Sequence, residues 1–386
     1  MDGEKNLIAR KQSRKSEKLY SVDFLRFVFS VIIVYYHFSH SNMVKYTAGQ
    51  PFYDKLGENS FGGILVECFF IISGYFLYYT FKNHKDMTFT RFTYSKVARL
   101  WPVLFFTIAV ETIFFDRSIY DGFFNSLFLQ CIGITTNYQG IAWYVSPLFW
   151  SFLFYFGLHK LVKKENNFCF IIAVISYFGY AININSQNGG MGREVAFGFL
   201  SMGLFRALAG IGVGYLVATV VNKIKDNRLE ERIRSSKPGR VAFFLFCSAV
   251  EVVSLGMIFL NCFSKKFHSS NGIFIVIMFV ALLLSLSFKR GIVSLIINNR
   301  FFGFFGRYAY SIYLIQQTVM WTLQKTLWQE STFVHDHALR CIALSLLIVV
   351  AAGIAVYYIV EKPSVKLFKI MERKLFAKKK TDVSAA

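Results

Sequence analysis

Long apolar segments recur along the whole chain and constrain its fold more than any other feature. A helix needs about 20 predominantly apolar residues to cross the hydrocarbon core of a bilayer. Such segments lie at 20–38, 61–81, 97–115, 141–162, 168–183, 204–222, 240–260, 272–288, 301–325 and 338–360. The sequence therefore predicts an all-α fold, a polytopic integral membrane bundle of about ten transmembrane helices. A shorter apolar stretch, 122–134, is expected to be re-entrant or interfacial.

The composition points to a bilayer as the surrounding solvent. Hydrophobic residues make up 55% of the 386 residues, phenylalanine alone accounts for 45, and charged residues account for only 17%. A soluble domain of this size could not bury so many large apolar side chains. We therefore expect an integral membrane protein whose main partner is the lipid bilayer.

Lysine and arginine residues are distributed unevenly between the loops. The formal net charge is +21, and the loops on the side of the N-terminus carry 33 of the 43 basic residues, against seven on the opposite side. Such an excess marks cytoplasmic loops, so it reports topology and does not indicate nucleic-acid binding. We expect both termini in the cytoplasm, with a basic N-terminal segment at 1–19, a transmembrane domain at 20–362 and a basic C-terminal tail at 363–386.

The first apolar segment contains three ionisable residues, Asp23, Arg26 and His37. Arg26 and His37 are eleven residues apart, which on an α-helix is about three turns and about 16 Å of rise, so both point to one face. Ionisable groups inside a membrane helix are costly and indicate function. Asp23 is the expected partner of the Arg26 guanidinium. The alternative is a satisfied Asp23–Arg26 pair near the membrane edge, with His37 among the outer headgroups.

The second apolar segment contains two adjacent small residues, Ser73 and Gly74. Small residues let membrane helices approach closely, and a hydroxyl can bond across a helix pair. Close packing is therefore the expected role, and a nucleophilic Ser73 is the alternative. Other charges in the apolar segments are Glu67, Arg206, Glu111 and Glu251. For the last three we expect structural pairing.

A basic cluster stands before the third apolar segment, in RFTYSKVARLWP at 91–102. Arg91, Lys96 and Arg99 would meet the headgroups of phospholipids or the phosphates of a cytoplasmic nucleotide donor. Pro102 suits a first helical turn or a local kink. The six cysteines include no CxxC pair, so we expect neither a metal site nor a disulfide framework.

Several of these pieces together resemble the membrane-bound acyltransferase 3 family. They are Arg26 and His37 with ten residues between them, FFIISGY at 69–75, VARLWP at 97–102, AWYVSPLFWSFLFY at 142–155, RALAGIGVGYL at 206–216, YSIYLIQQ at 310–317 and VEKP at 360–363. The resemblance covers roughly residues 18–366 in the family's order. It implies transfer of an acetyl or other short acyl group from cytoplasmic acyl-CoA to a hydroxyl of a surface sugar or glycolipid. It also implies the bacterial inner membrane, with acetyl-CoA as co-substrate and no permanently bound cofactor.

Roles for the candidate residues follow from this resemblance. A histidine near neutrality suits the removal of a hydroxyl proton, so His37 is expected as general base or as a transient acyl carrier. Arg26 would orient the donor or stabilise developing charge, and Arg91, Lys96 and Arg99 would hold CoA phosphates.

The acceptor side rests on three further candidates. Trp143 and Tyr144 are expected at the outer side, either stacked on a sugar ring or acting as interfacial anchors. Gln316 stands where the family commonly has a histidine, and it would position a hydroxyl by hydrogen bonding. A flippase or transporter of a polyprenyl-linked sugar is the alternative function, since about ten helices with buried charges suit it equally well.

Overall fold

The structure is a computed structural model that describes residues 18–39, 60–131, 140–186, 191–192, 195–196, 200–266, 272–327 and 337–382. All but the last two residues of the predicted N-terminal segment 1–19 therefore lie outside the described residues. The same holds for 132–134 of the stretch predicted to be re-entrant and for 383–386.

The described residues of the first half of the chain form seven helices and one pair of short strands. The helices are α1 (Tyr20–Ser39), α2 (Val66–Asn83) after the 3-10 turn Gly62–Leu65, α3 (Phe89–Phe114), α4 (Ile119–Ser126), α5 (Val145–Leu161) after the 3-10 turn Ala142–Tyr144, α6 (Glu165–Ser186) and α7 (Met202–Asp226). Strands β1 (Val195–Ala196) and β2 (Leu200–Ser201) pair antiparallel just before α7.

Eight helices lie in the part of the second half that the structure describes. They are α8 (Leu229–Ile233), α9 (Lys237–Phe263), α10 (Ile273–Phe288), α11 (Ile292–Ile297), α12 (Arg300–Phe305), α13 (Ala309–Thr326) after the 3-10 turn Gly306–Tyr308, α14 (Ala338–Val356) and α15 (Lys362–Asp382). A π-helical turn, Tyr357–Glu361, joins α14 to α15.

The helices confirm the prediction of an all-α membrane bundle. Within the described part of the chain, seven helical segments are long and apolar enough to cross a membrane. They are Tyr20–Ser39, Gly62–Asn83, Phe89–Phe114, Glu165–Ser186, Met202–Asp226, Lys237–Phe263 and Leu339–Phe376. The shorter helices α5, α10 and α13 occupy the other three predicted segments. The count of ten and the cytoplasmic termini stay predictions.

Helix α3 begins earlier than the apolar pattern indicates. Its N-cap is Thr88, whose side chain accepts a hydrogen bond from the Arg91 amide at 3.3 Å. The helix therefore starts at Phe89 and not at 97, because a capped polar turn extends it beyond its apolar part. Pro102 consequently lies in the interior of α3, so its predicted place in a first helical turn is wrong.

The ninth predicted segment, 301–325, is interrupted in the structure. Helix α12 and the 3-10 turn after it bring the backbone directly against α1. A Cβ added at Gly303 would collide with the Tyr20 ring, and one added at Gly306 would collide with the Asp23 backbone. Glycine alone permits this approach, which places the start of α13 beside the start of α1.

Glycines also bring α2 and α7 together, as predicted for the Ser73–Gly74 pair. A Cβ at Gly74 would overlap the Ile211 carbonyl, and one at Gly214 would overlap the Ile71 carbonyl. The two contacts are reciprocal, so each helix presents a glycine to the backbone of the other. The prediction of close packing at Gly74 is confirmed.

Buried charges in the bundle are paired. Arg206 Nε lies 3.0 Å from Glu67 Oε2, and the Tyr180 hydroxyl donates to Glu67 Oε1 at 2.9 Å. Glu111 accepts from the Thr318 hydroxyl at 2.7 Å, and Glu251 accepts from the Ser294 amide at 2.9 Å. The predicted structural pairing of Arg206, Glu111 and Glu251 is thus confirmed.

The segment predicted as a C-terminal tail at 363–386 is helical through Asp382. Helix α15 packs antiparallel against the first turns of α3. The Tyr94 hydroxyl donates to the Phe368 carbonyl at 3.1 Å, and Arg91 Nε lies 2.7 Å from Glu372 Oε1. The last transmembrane helix therefore continues as a docked helix.

Candidate functional site

A large cavity opens beside the N-terminal end of α1, and we call it the basic cavity. Its volume is about 1420 Å³. Nine basic and three acidic side chains line it, an excess of six positive charges. The basic residues are Lys18, Arg26, Arg99, Arg300, Arg307, Lys362, Lys366, Lys369 and Arg373. They come from α1, α3, the α12–α13 region and α15, so the cavity exists only in the folded bundle.

Arg26 lies where the basic cavity reaches the bundle interior. Its guanidinium is 3.8 Å from an Asp23 carboxylate oxygen, as the sequence predicts. It also interacts electrostatically with Arg99, Tyr144 and Glu361. A second cavity of about 270 Å³ shares Asp23, Arg26 and Arg99 with the first. Arg26 therefore lies between the mouth of the cavity and the buried side chain of Tyr144, which belongs to the 3-10 turn before α5.

The acidic residues of the basic cavity already have partners. Asp23 pairs with Arg26, Glu372 pairs with Arg91, and Glu361 accepts a hydrogen bond from the Ser311 hydroxyl at 2.5 Å. Most of the cationic side chains are consequently left facing the cavity. Such a surface favours a ligand with several negative charges.

The three basic residues predicted to form one cluster on α3 diverge. Arg99 lines the basic cavity. Lys96 points toward α5, where its Nζ lies 3.9 Å from the centre of the Phe152 ring. Arg91 forms the ion pair with Glu372 of α15. Arg91 and Lys96 diverge because five residues on a helix correspond to about 140° of rotation. Lys96 and Arg99 are only about 60° apart around the helix, but Lys96 contacts α5 and Arg99 lines the cavity.

His37 lies in the last turn of α1, half-buried, with its ring beside that of Tyr36. Because α1 is one continuous helix, Arg26 and His37 share a face as predicted. The linings of the two cavities at Arg26 do not include His37. Between them on that face lie Ser30 and Ile33, both fully buried.

Trp143 and Tyr144 lie inside the protein, each with 7% of its surface exposed. The Trp143 ring lies under the Arg206 guanidinium, 5.1 Å from ring centre to Cζ. The Tyr144 ring packs against Phe70 and Tyr313, with ring centres 5.2 Å apart in each case. Anchoring at a membrane interface is therefore wrong for both residues, because α5 begins within the bundle and not at its surface.

Ser73 and Gln316 occupy different places. Ser73 is half-buried next to the Gly74 contact between α2 and α7. Gln316 is 1% exposed, and its amide nitrogen donates to the Tyr313 carbonyl at 2.8 Å. Its Oε1 is buried without a hydrogen-bond partner in the described part of the chain. Gln316 is not part of the lining of either cavity at Arg26.

The basic residues of α12 and α15 were not among the sequence candidates. Their signal was present, because Lys362, Lys366, Lys369 and Arg373 repeat at intervals of four, three and four residues. That spacing places them on one helical face. The sequence pattern predicts a tail for this segment, and a tail has no helical face on which this periodicity would be recognised.

The fold and this site together define a class, a polytopic helical membrane protein with a cationic cavity at one end of the bundle. The family model described as an acyltransferase domain, that of the acyltransferase 3 family, matches residues 19–360. The chain belongs to this family and is a membrane acyltransferase. No curated protein and no solved structure gives a match.

Proposed function

We propose that this protein transfers an acetyl or other short acyl group from acyl-CoA to a hydroxyl of a cell-surface sugar or glycolipid in the bacterial inner membrane. The observation that supports it best is the basic cavity of about 1420 Å³, which ends at Arg26 on the first membrane helix. CoA carries a diphosphate and a ribose phosphate, and a cationic cavity on the cytoplasmic side would select it from the cytoplasm.

The donor end of the reaction belongs to Arg26 and Arg99. Both line the basic cavity and both interact electrostatically with Tyr144. Guanidinium groups placed at the inner end would hold and orient the CoA end of the donor. Asp23 keeps Arg26 oriented through the 3.8 Å ion pair.

The acceptor end is assigned to His37. An imidazole nitrogen would take the proton of the acceptor hydroxyl while the hydroxyl oxygen attacks the thioester carbonyl carbon. A new C–O ester bond forms, the C–S bond breaks, and CoA leaves as the thiol after receiving the proton. His37 is about 16 Å along α1 from Arg26, and the buried Ser30 and Ile33 lie between them, so the pantetheine arm of the donor would have to displace the packing on this face to reach His37.

Gln316 joins the acceptor end in this proposal. Its buried Oε1, unpartnered among the residues described, would accept a hydrogen bond from a sugar hydroxyl. Trp143 and Tyr144 lie behind the site and would shape its wall, because both are buried against α2 and α13.

The test is acyl transfer by the purified protein in lipid vesicles containing glycolipid acceptor. We expect acetyl-CoA to be consumed with release of free CoA only when acceptor is present, and the glycolipid to gain the mass of one acetyl group. Movement of unmodified glycolipid across the vesicle membrane without CoA release would instead support a flippase.

Two variants locate the chemistry. His37→Ala is expected to abolish transfer while leaving CoA binding intact, and His37→Gln should behave alike because an amide cannot accept the proton. Retained transfer by His37→Ala, at equal membrane abundance, would remove the proposed base.

A further inference from the structure

The helix α15 presents four cations to the basic cavity on one face. Lys362, Lys366, Lys369 and Arg373 all line the cavity. Their spacing of four, three and four residues keeps them within one stripe, which extends about 16 Å along the helix. The residues that α15 turns toward α3, Phe368 and Glu372, lie beside this stripe and fix the rotation of the helix.

Three of these cations have no ion-pair partner. Lys366, Lys369 and Arg373 are exposed and form no salt bridge with any residue that the structure describes. The nearby Glu372 is taken up by Arg91 at 2.7 Å. A row of unneutralised cations that lines a cavity attracts a polyanionic occupant.

The position of α15 indicates which part of a ligand it meets. Glu361, at the start of this region, is close enough to Arg26 for electrostatic interaction. Arg373 lies twelve residues further, about 18 Å along the helix axis from Glu361. The stripe therefore begins near the inner end of the cavity and continues to its mouth. The phosphates of a donor whose pantetheine arm passes Arg26 would lie along this stripe.

We infer that α15 is a phosphate-binding wall, specific for the nucleotide portion of the acyl donor. This inference rests on the proposed function and adds a residue set to it, Lys366, Lys369 and Arg373. The family match ends at residue 360, so this wall lies outside the matched domain. Recognition of the nucleotide is thereby assigned to a part of the chain separate from the transmembrane domain that carries Arg26 and His37.

The experiment measures binding of CoA, 3′-dephospho-CoA and pantetheine to the full chain in nanodiscs. The test variant is Lys366→Ala/Lys369→Ala/Arg373→Ala. The matched control is Lys374→Ala, a basic residue of the same helix that does not line the cavity. We expect the triple variant to bind CoA at least about tenfold more weakly, since each cation contributes a charge-assisted contact. The control should stay within about twofold.

Discrimination between ligands gives the sharper result. Wild type should bind CoA more tightly than 3′-dephospho-CoA and much more tightly than pantetheine, and the triple variant should lose most of this preference. Unchanged CoA affinity in the triple variant, with wild type binding CoA, would overturn the wall while leaving the proposed function in place. Failure of wild type to bind any of the three would instead overturn the proposed function itself.

Lipid headgroups are the other source of phosphate, and the nanodisc composition separates the two. The measurement is repeated in neutral phosphatidylcholine and in discs with anionic phosphatidylglycerol. The loss of CoA affinity is expected in both. If it appears only in anionic discs, the cations bind lipid and the inference is wrong. Thermal unfolding of each variant, expected to match wild type, shows that α15 remains docked.

Discussion

Single residues at the inner end of the basic cavity carry the proposed chemistry. Arg26 is the clearest case, because it is a membrane-helix cation with one acidic partner at 3.8 Å and an open cavity beside it. The proposed reaction uses its charge to hold and orient the CoA end of the donor. A lysine at this position would retain the charge but lose the planar fork.

Replacing Arg26 tests this directly. We expect Arg26→Ala to lower kcat/KM for acetyl-CoA by about 10- to 100-fold, the usual scale for loss of a charge-assisted contact to the donor. Arg26→Lys should recover part of that loss. The control is Arg117→Ala, since Arg117 is exposed in the loop between α3 and α4, does not line the cavity, and stacks on Trp321 at 4.3 Å. An Arg26→Ala enzyme with normal kcat/KM would show that the guanidinium has no part in transfer.

A second residue-scale prediction concerns the α2–α7 contact. Gly74→Ala forces a Cβ against the Ile211 carbonyl, so the two helices must separate. We expect a loss of about 1–3 kcal/mol in the free energy of unfolding, the usual cost of overpacking. Gly256→Ala is the matched control, because a Cβ there meets no atom within 4 Å. Thermal unfolding in detergent compares the two, and equal stability would contradict the close contact.

At the scale of elements, α15 is the least expected part of the molecule. The charge pattern of residues 362–380 predicts a cytoplasmic tail. The structure shows a helix in this segment, docked on α3 through Tyr94 and Arg91. Apolar segments long enough for a bilayer are visible in sequence because hydropathy alone identifies them. Docking of a polar helix is not visible in this way, because it depends on two or three specific contacts.

The candidate site also contains some features that the sequence predicts and others that it does not. The Asp23–Arg26 pair follows from a spacing of three residues on one helix, so the sequence contains it. The separate destinations of Arg91, Lys96 and Arg99 depend on where α3 begins, which was misplaced by eight residues. The burial of Trp143 and Tyr144 depends on tertiary packing, and neither hydropathy nor helical period reports it.

The ion pair Arg91–Glu372 is expected to hold α15 in place. Arg91→Glu places like charges 2.7 Å apart in the present geometry and should release the helix. Limited proteolysis would then cleave α15 several times faster than in wild type. The double variant Arg91→Glu/Glu372→Arg restores opposite charges and should return the cleavage rate toward wild type. Equal proteolysis of all three proteins would show that the ion pair contributes nothing to docking. Many exposed ion pairs make no measurable contribution to stability.

At the scale of the whole molecule, a buried ionic network joins α2, α6 and α7. Glu67, Tyr180 and Arg206 belong to the three helices, and Arg206 also donates to the Met191 carbonyl at 3.1 Å. Both charged side chains are almost fully buried. Loss of one partner therefore leaves the other charge uncompensated within the bundle.

Variants of this network should affect the stability of the entire bundle. We expect Glu67→Gln or Arg206→Met alone to lower the free energy of unfolding by about 3–5 kcal/mol. The double variant should lose less than the sum of the two, because no unpaired charge remains. The exposed pair Arg228–Glu231, 4.0 Å apart, provides the control, and Arg228→Ala should change stability by less than about 1 kcal/mol. Additive losses in the double variant would contradict the coupling.

The orientation of the whole molecule is a separate prediction from its loop charges. With both termini in the cytoplasm, a fluorescent reporter fused after Ala386 should fold and fluoresce, and alkaline phosphatase fused there should be inactive. The two reporters should give the opposite results when inserted near Arg117, which the charge count places outside. A reversed pattern would place the basic cavity on the outer side and rule out a cytoplasmic CoA donor.

The π-helical turn Tyr357–Glu361 determines the direction in which α15 presents its cations. A π turn accommodates one residue more than an α turn, and one residue corresponds to about 100° of rotation around the helix. An uninterrupted α-helix of the same sequence would thus aim Lys366, Lys369 and Arg373 at a different neighbour. Deleting a single residue within this turn would leave composition, net charge and helix content almost unaltered, yet it would swing the whole stripe out of alignment. Aligned chains that differ there by one insertion would be expected to differ in how they hold a nucleotide.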